Sequence, residues 1–168
     1  CFWGEALILG PNINVPMMPE ANAPAVAALE KAVALKDRAG PKERALIEAL
    51  QQRYSADPKA ERPPLDAAYA DAMQKVVARY PADDTIRTLY AEAAMDTQPW
   101  DYWEPGGAKP KGRGAEIVSN LETVLKRNPK HAGAIHLYIH AVEASNTPER
   151  GLARVEPVSG EAGQIDAT

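Results

Sequence analysis

Two histidines one helical turn apart, His136 and His140, with Glu143 three residues further on, are the side chains of this sequence best suited to chemistry. At about 100° per residue, a step of four displaces a side chain by roughly 40° and a step of seven by roughly 20° the other way. On a helix all three therefore share a face. Two imidazoles so placed can converge on a divalent transition metal such as zinc or copper. The carboxylate can then be a third ligand or the group that orients an imidazole. The spacing is not His-Glu-x-x-His, so it does not read as a metalloprotease helix. It equally suits histidines that pack on a neighbouring helix and satisfy buried polar partners. His131, beside Pro129-Lys130, reads as a solvated residue near a helix start.

A second constellation gathers Glu92, Asp96, Trp100, Asp101, Tyr102 and Trp103. Glu92 and Asp96 stand at i and i+4, where like charges on one helix face repel by a few tenths of a kcal/mol. A pair kept there calls for a cationic partner, from the protein or from a ligand. The aromatic trio that follows could cover a pocket, since indoles bury large areas and stack on cations or sugars. It could equally seal the apolar edge where an irregular segment leaves the helices. Gly106-Gly107 with Lys109, Lys111 and Arg113 lacks the Gly-x-x-x-x-Gly-Lys-Ser/Thr pattern and follows no strand, so it reads as a mobile loop and not as a phosphate cradle. The serines, among them Ser55, Ser119 and Ser145, sit in no nucleophile elbow. No catalytic residue is readable, and an enzyme is the less favoured reading.

The elements that must position these groups are helices. Apolar residues recur at helical spacing in Ala25, Leu29, Ala32 and Val33, in Ala45, Leu46, Ala49 and Leu50, and in Tyr69, Met73, Val76 and Val77. The same spacing returns in Ile86, Leu89, Tyr90 and Ala93, and in Ile117, Val118, Leu121, Val124 and Leu125. Two of these stretches stop alike, at Arg79-Tyr80-Pro81 and Arg127-Asn128-Pro129, and helical pattern resumes within a few residues. The expected helices cover 1–9, 24–36, 42–54, 65–80, 83–95, 114–127 and 132–144, with a last one starting near 148. Residues 10–22, 57–64 and 98–113 are irregular. No strand pattern survives for more than a few residues. The fold class is all-α, with about eight helices whose short connections make sequential neighbours antiparallel.

Hydrophobic content of 45% and charged content of 25% are those of an ordinary globular domain, and 168 residues make one domain, 1–168, large enough for a core. A net charge of -4 argues against sequence-independent nucleic-acid binding, which needs a basic face. No apolar run approaches the ~20 residues that cross a bilayer. A soluble cytoplasmic or periplasmic protein is expected. Cys1 is the single cysteine and forms no internal disulfide. Both ends read as interrupted helical pattern, so the chain is expected to be part of a longer protein.

Trp3-Gly4 and Leu7, followed by Ala25, Leu29 and Ala32, resemble the first and second helices of the tetratricopeptide repeat, a helix–turn–helix of about 34 residues. The small–large–small spacing of the second helix lets neighbours approach closely while the large residue fills the gap. The stretches at 3–17, 44–54, 90–103 and 135–145 further resemble a bacterial group of such proteins of unassigned biochemistry, in which more repeats follow. The irregular stretches 10–22 and 98–113, and Tyr69 and Ile117 where small residues would stand, depart from the repeat.

The resemblance implies a right-handed solenoid of helical hairpins whose first helices line a concave groove. Glu5, Glu92, Asp96, Trp100 and Trp103 would then face a bound protein, peptide or second copy of the chain, with Asn12 and Asn14 at the edge. A scaffold of this kind is the leading functional reading. The alternatives are metal binding through His136, His140 and Glu143, and a small-molecule pocket walled by Trp100 and Trp103.

Overall fold

The structure is a computed structural model that describes residues 1–57 and 59–153. It is mostly helical. The described residues form eight α-helices: α1 (Phe2–Ile8), α2 (Asn22–Ala34), α3 (Pro41–Leu50), α4 (Arg62–Arg79), α5 (Asp84–Asp96), α6 (Gly114–Arg127), α7 (Ala132–Val142) and α8 (Glu149–Leu152). Short 3-10 turns lie at Pro19–Ala21 and Lys36–Arg38. Among the described residues the only β pairing is two isolated bridges, Asn12 with Val15 and Trp103 with Pro110. No described helix is long and apolar enough to cross a membrane. The last expected helix begins near 148 as read, but its continuation past 153 lies outside the described residues.

The helices fall into two compact units, one of residues Cys1–Thr97 and one beginning at Gln98. In the first, α1 packs on α2 and α4 on both α3 and α5. Ala25, Leu29 and Ala32 are all buried, as the small–large–small spacing requires. Tyr69, Met73, Val76 and Val77 supply the stripe of α4. In the second, α6 packs on α7 and α7 on α8. Ile117, Leu121, Val124 and Leu125 of α6 and Ala134, Leu137, Tyr138 and Ala141 of α7 are buried in that unit's core.

α4 starts earlier than the proline-rich stretch suggested. Pro63 and Pro64 lie in its first turn, where backbone N–H groups have no intrahelical acceptor and a missing donor costs nothing. The turn therefore ends at Glu61, and not at Pro64 as read from the sequence.

The two helix–proline–helix junctions are built alike. Tyr80 and Asn128 close α4 and α6 with similar backbone angles (φ -126, ψ 61 and φ -133, ψ 83). In each, the carbonyl of that residue accepts from the N–H three positions on, Asp83 or His131, at 3.1 Å. That residue then caps the next helix. Asp83 accepts from the Ile86 N–H at 3.0 Å, and His131 Nδ1 accepts from the Ala134 N–H at 3.1 Å. His131 is thus a helix cap and not the merely solvated residue its position suggested. Burial pushes the Asp83 carboxyl up, but the Ile86 N–H and the Lys42 ammonium at 3.0 Å outweigh it and hold it below its ordinary value. Aspartate is a better cap than histidine and complements the positive helix start. His131→Asp should therefore raise the unfolding free energy by about 0.5–1 kcal/mol in urea titrations. An unchanged or lowered value would mean that the imidazole cap does not form.

Candidate functional site

α3 ends at Leu50, four residues short of the end of the expected helix 42–54, and the guanidinium of Arg53, three residues past Leu50, is the hub of the first unit. Arg53 is 3% exposed. One of its terminal nitrogens donates to the Asp96 carboxylate at 2.8 Å and to the Pro11 carbonyl at 2.5 Å. Its guanidinium carbon lies 4.7 Å from the centre of the Tyr69 ring, and Nε is buried with no hydrogen-bond partner. Its own carbonyl accepts from Arg62 at 2.8 Å, and Arg62 pairs with Asp66 one turn along α4. One side chain thereby ties the 10–22 segment, α4 and the end of α5 to the end of α3.

Gly10 makes the approach possible. A Cβ there would lie 2.5 Å from Tyr54 Oη and 3.1 Å from the Arg53 guanidinium. Tyr54 in turn donates its hydroxyl to the Ala6 carbonyl.

Burial shifts the acids of this cluster against their usual direction. Desolvation pushes the Asp96 carboxyl up to about 7; Arg53 pulls it down, while Glu92 and Asp66 push it further up. Desolvation also raises Asp66, against the pull of Arg62. Tyr69 and Tyr54 are raised by burial and partly held back by Arg53. The cationic partner that the Glu92/Asp96 repulsion required is therefore supplied by the protein itself. Asp96 is correspondingly not a groove residue open to a partner, because its side chain is 4% exposed and spent on Arg53. Glu92 is half-buried, and Glu5 is exposed on α1. Asn12 does not edge a groove: its Oδ1 accepts from the N–H groups of Asn14 and Val15 at 3.0 and 3.1 Å, closing a tight turn.

Beside this cluster, α3 and α4 leave an open groove of ≈ 580 Å³. Ala45 and Ala49 of α3 and Ala68 and Ala72 of α4 form its floor. Glu48 and Gln52 line one wall, and Asp71, Lys75 and Arg79, spaced one turn apart, line the other. The sequence reading placed no binding residue here. The signal was present in the alanine spacing of two consecutive helices, which bares a floor that larger side chains would fill.

In the second unit the 98–113 segment is tied down and not a mobile loop. The Gln98 amide donates to the carbonyls of Asp101 and Lys111 at 2.8 and 3.0 Å and accepts from the Arg113 N–H at 2.8 Å. Gly107, at φ 71, has no room for a side chain: a Cβ would stand 2.6 Å from the backbone at Ser145 and Asn146. Lys111 pairs with Asp101 at 2.5 Å and so is not presented as a phosphate ligand; that contact holds its ammonium above its ordinary pKa.

The two indoles of this segment have different fates. Trp103 is half-buried and donates from Nε1 to the Ala141 carbonyl at 2.7 Å, which makes it a packing residue. Trp100 is 49% exposed and sits at φ 65, a left-handed conformation uncommon for a bulky residue. Its ring meets the His140 ring edge-on at 5.0 Å, and His140 meets His136 edge-on at 4.8 Å. Glu143 Oε1 lies 3.5 Å from His140 Nδ1. His136, His140 and Glu143 are neighbours as their spacing required, and Trp100 joins them. Among the described residues, however, no group of three or more His, Cys, Asp or Glu side chains is placed to hold a metal ion.

Comparison with protein-family models, with curated protein sequences and with solved structures finds no match to this chain.

Proposed function

We propose that the chain is a helical-repeat scaffold of the tetratricopeptide kind and that its first unit binds a segment of a partner protein in the α3–α4 groove. One observation carries this reading: a floor of four alanines between two helices whose facing walls carry charge of both signs. Small floor residues let a third helix or an extended segment approach the backbone closely. The walls then set its register. Glu48 and Asp71 favour cationic side chains, and Lys75 and Arg79 one helical turn apart favour acidic ones. Antiparallel hairpins, alanine-rich contacts and helix–proline–helix punctuation support assigning the repeat architecture to the chain. In the same unit the buried Arg53 side chain joins the segment after α3 to α5 through Asp96 and to α4 through Tyr69, which holds the groove's two helices in place.

Photo-crosslinking in the native host tests it. With a photoreactive residue at Gln52 or Lys75, a discrete adduct should form, and it should not form from Asp37, which is exposed outside the groove. Charge reversal at Lys75 and Arg79, both exposed, should reduce the Gln52 adduct by about tenfold or more, a loss of roughly 1.4 kcal/mol or greater. Adducts of equal yield from inside and outside the groove, or insensitive to the reversal, would overturn the assignment. An adduct of twice the chain mass would identify the partner as a second copy.

A further inference from the structure

The groove leaves the imidazoles of the second unit without a role. We propose that His136 and His140 form a two-imidazole chelate for a single divalent transition-metal ion, with Glu143 orienting His140 and Trp100 closing one side. The spacing of the rings carries the proposal. A metal about 2.0–2.1 Å from a ring nitrogen lies roughly 3.2 Å from that ring's centre. Two such rings subtending about 90–110° at the ion have centres roughly 4.5–5.2 Å apart. The His136 and His140 centres are 4.8 Å apart in the protein as folded. The rings now stand at 86° to each other. Closing the chelate requires the ring at the exposed position, His136, to turn about its own Cβ–Cγ axis, which leaves its centre in place, while His140 keeps its position between Trp100 and Glu143.

The second nitrogen of His140 assigns the coordinating one. Nδ1 is buried, has no hydrogen-bond partner and lies 3.5 Å from the Glu143 carboxylate. It is therefore closed to an ion from solvent, and Nε2 is the nitrogen that would bind. A carboxylate beside the non-coordinating nitrogen is the usual support of a metal-bound histidine, and Glu143 stands 3.5 Å from Nδ1, close enough to take up that role when the site fills. Glu143 thus serves as an orienting group and not as a third ligand, in keeping with the absence of a three-ligand cluster among the described residues. Water or a group from a partner completes the coordination. The Trp100 backbone, held at φ 65, keeps the indole against His140 while leaving half of it exposed. A non-glycine residue in that region persists only where its surroundings hold it there. The consequence here is an indole whose ring centre is held 5.0 Å from that of His140, the ring that would carry the ion.

Copper(II) is the probe, because it is the divalent ion that imidazole sites hold most tightly. The titration is made on the full chain carrying Cys1→Ser, since the exposed Cys1 thiol could take up copper on its own. The expected result is uptake of one equivalent, an electron paramagnetic resonance spectrum with two equivalent nitrogens, and quenching of tryptophan emission. His136→Ala, at an exposed position, should abolish the saturable uptake, and His140→Ala should do the same. Glu143→Gln should weaken it by about 10–100-fold. Trp100→Phe should bind the same equivalent with most of the quenching gone. No saturable uptake in the Cys1→Ser chain, uptake unaltered by either histidine change, or full quenching in Trp100→Phe would each overturn the proposal. The parent spectrum alone decides the nitrogen count should a variant fail to fold.

Discussion

Arg53→Ala should lower the unfolding free energy by about 3–5 kcal/mol at pH 8, the cost of leaving one member of a buried ion pair without the other. The change strands the Asp96 carboxylate at 4% side-chain exposure, frees the Pro11 carbonyl and removes the cation from the Tyr69 ring. An exposed pair would cost no more than about 1 kcal/mol, so the size of the effect separates the hub from an incidental contact. The loss should shrink at pH 5, because the Asp96 carboxyl, already raised to about 7 by burial, is then protonated and no longer an uncompensated charge. Urea titrations of parent and variant at the two pH values measure this. A pH-independent loss below about 1 kcal/mol would show that Arg53 does not hold the unit together. Arg53→Met combined with Asp96→Leu should recover much of the stability, since apolar replacement of a whole buried pair is often neutral or better.

The hub shows what the sequence could and could not convey. Like charges at 92 and 96 on one helix face announced that a cation was required, and that inference needed only local spacing. Which cation was not legible. Arg53 lies 43 residues upstream, inside the expected helix 42–54 but past Leu50 where α3 ends, and local spacing carries no sign of so distant a contact. Local pattern likewise revealed the helices themselves, because each carries an apolar stripe and six of the eight contain at least ten residues. It misjudged the start of α4, where prolines signal either a turn or a first helical turn and only the next residues' packing decides. It grouped Trp100 with Trp103 because both are tryptophans in one irregular segment. The backbone angle that exposes the first, and the Ala141 carbonyl that captures the second, depend on contacts with distant residues. The imidazole pair was legible for the opposite reason, since both rings and their carboxylate lie within eight residues on α7 and its C-terminal cap.

Stability should fall as pH rises from about 4 to about 7, and Asp96 should be the main cause. Its native pKa, about 7, lies above the ordinary 3.8 of an unfolded aspartate, so the folded chain holds that proton more tightly than the unfolded chain. A group with this sign contributes its full stabilisation below 3.8 and loses it progressively as pH climbs through 7. The whole change is bounded at about 4 kcal/mol, taking roughly 1.4 kcal/mol for each tenfold difference in proton affinity. Asp66, also raised by burial, acts in the same direction. Asp83, lowered by its cap and Lys42, acts oppositely but mainly below pH 4, outside the window. Asp96→Asn keeps the shape and the acceptor oxygen toward Arg53 and removes the proton, so its stability should be flatter across the window. The carboxyl carbon of Asp96, followed by NMR, should titrate near 7. A midpoint near 4, or an equal pH slope in parent and Asp96→Asn, would mean that Arg53 compensates the buried carboxylate fully. The ion pair would then be a fixed clamp on α3, α4 and α5, with no titration near neutrality.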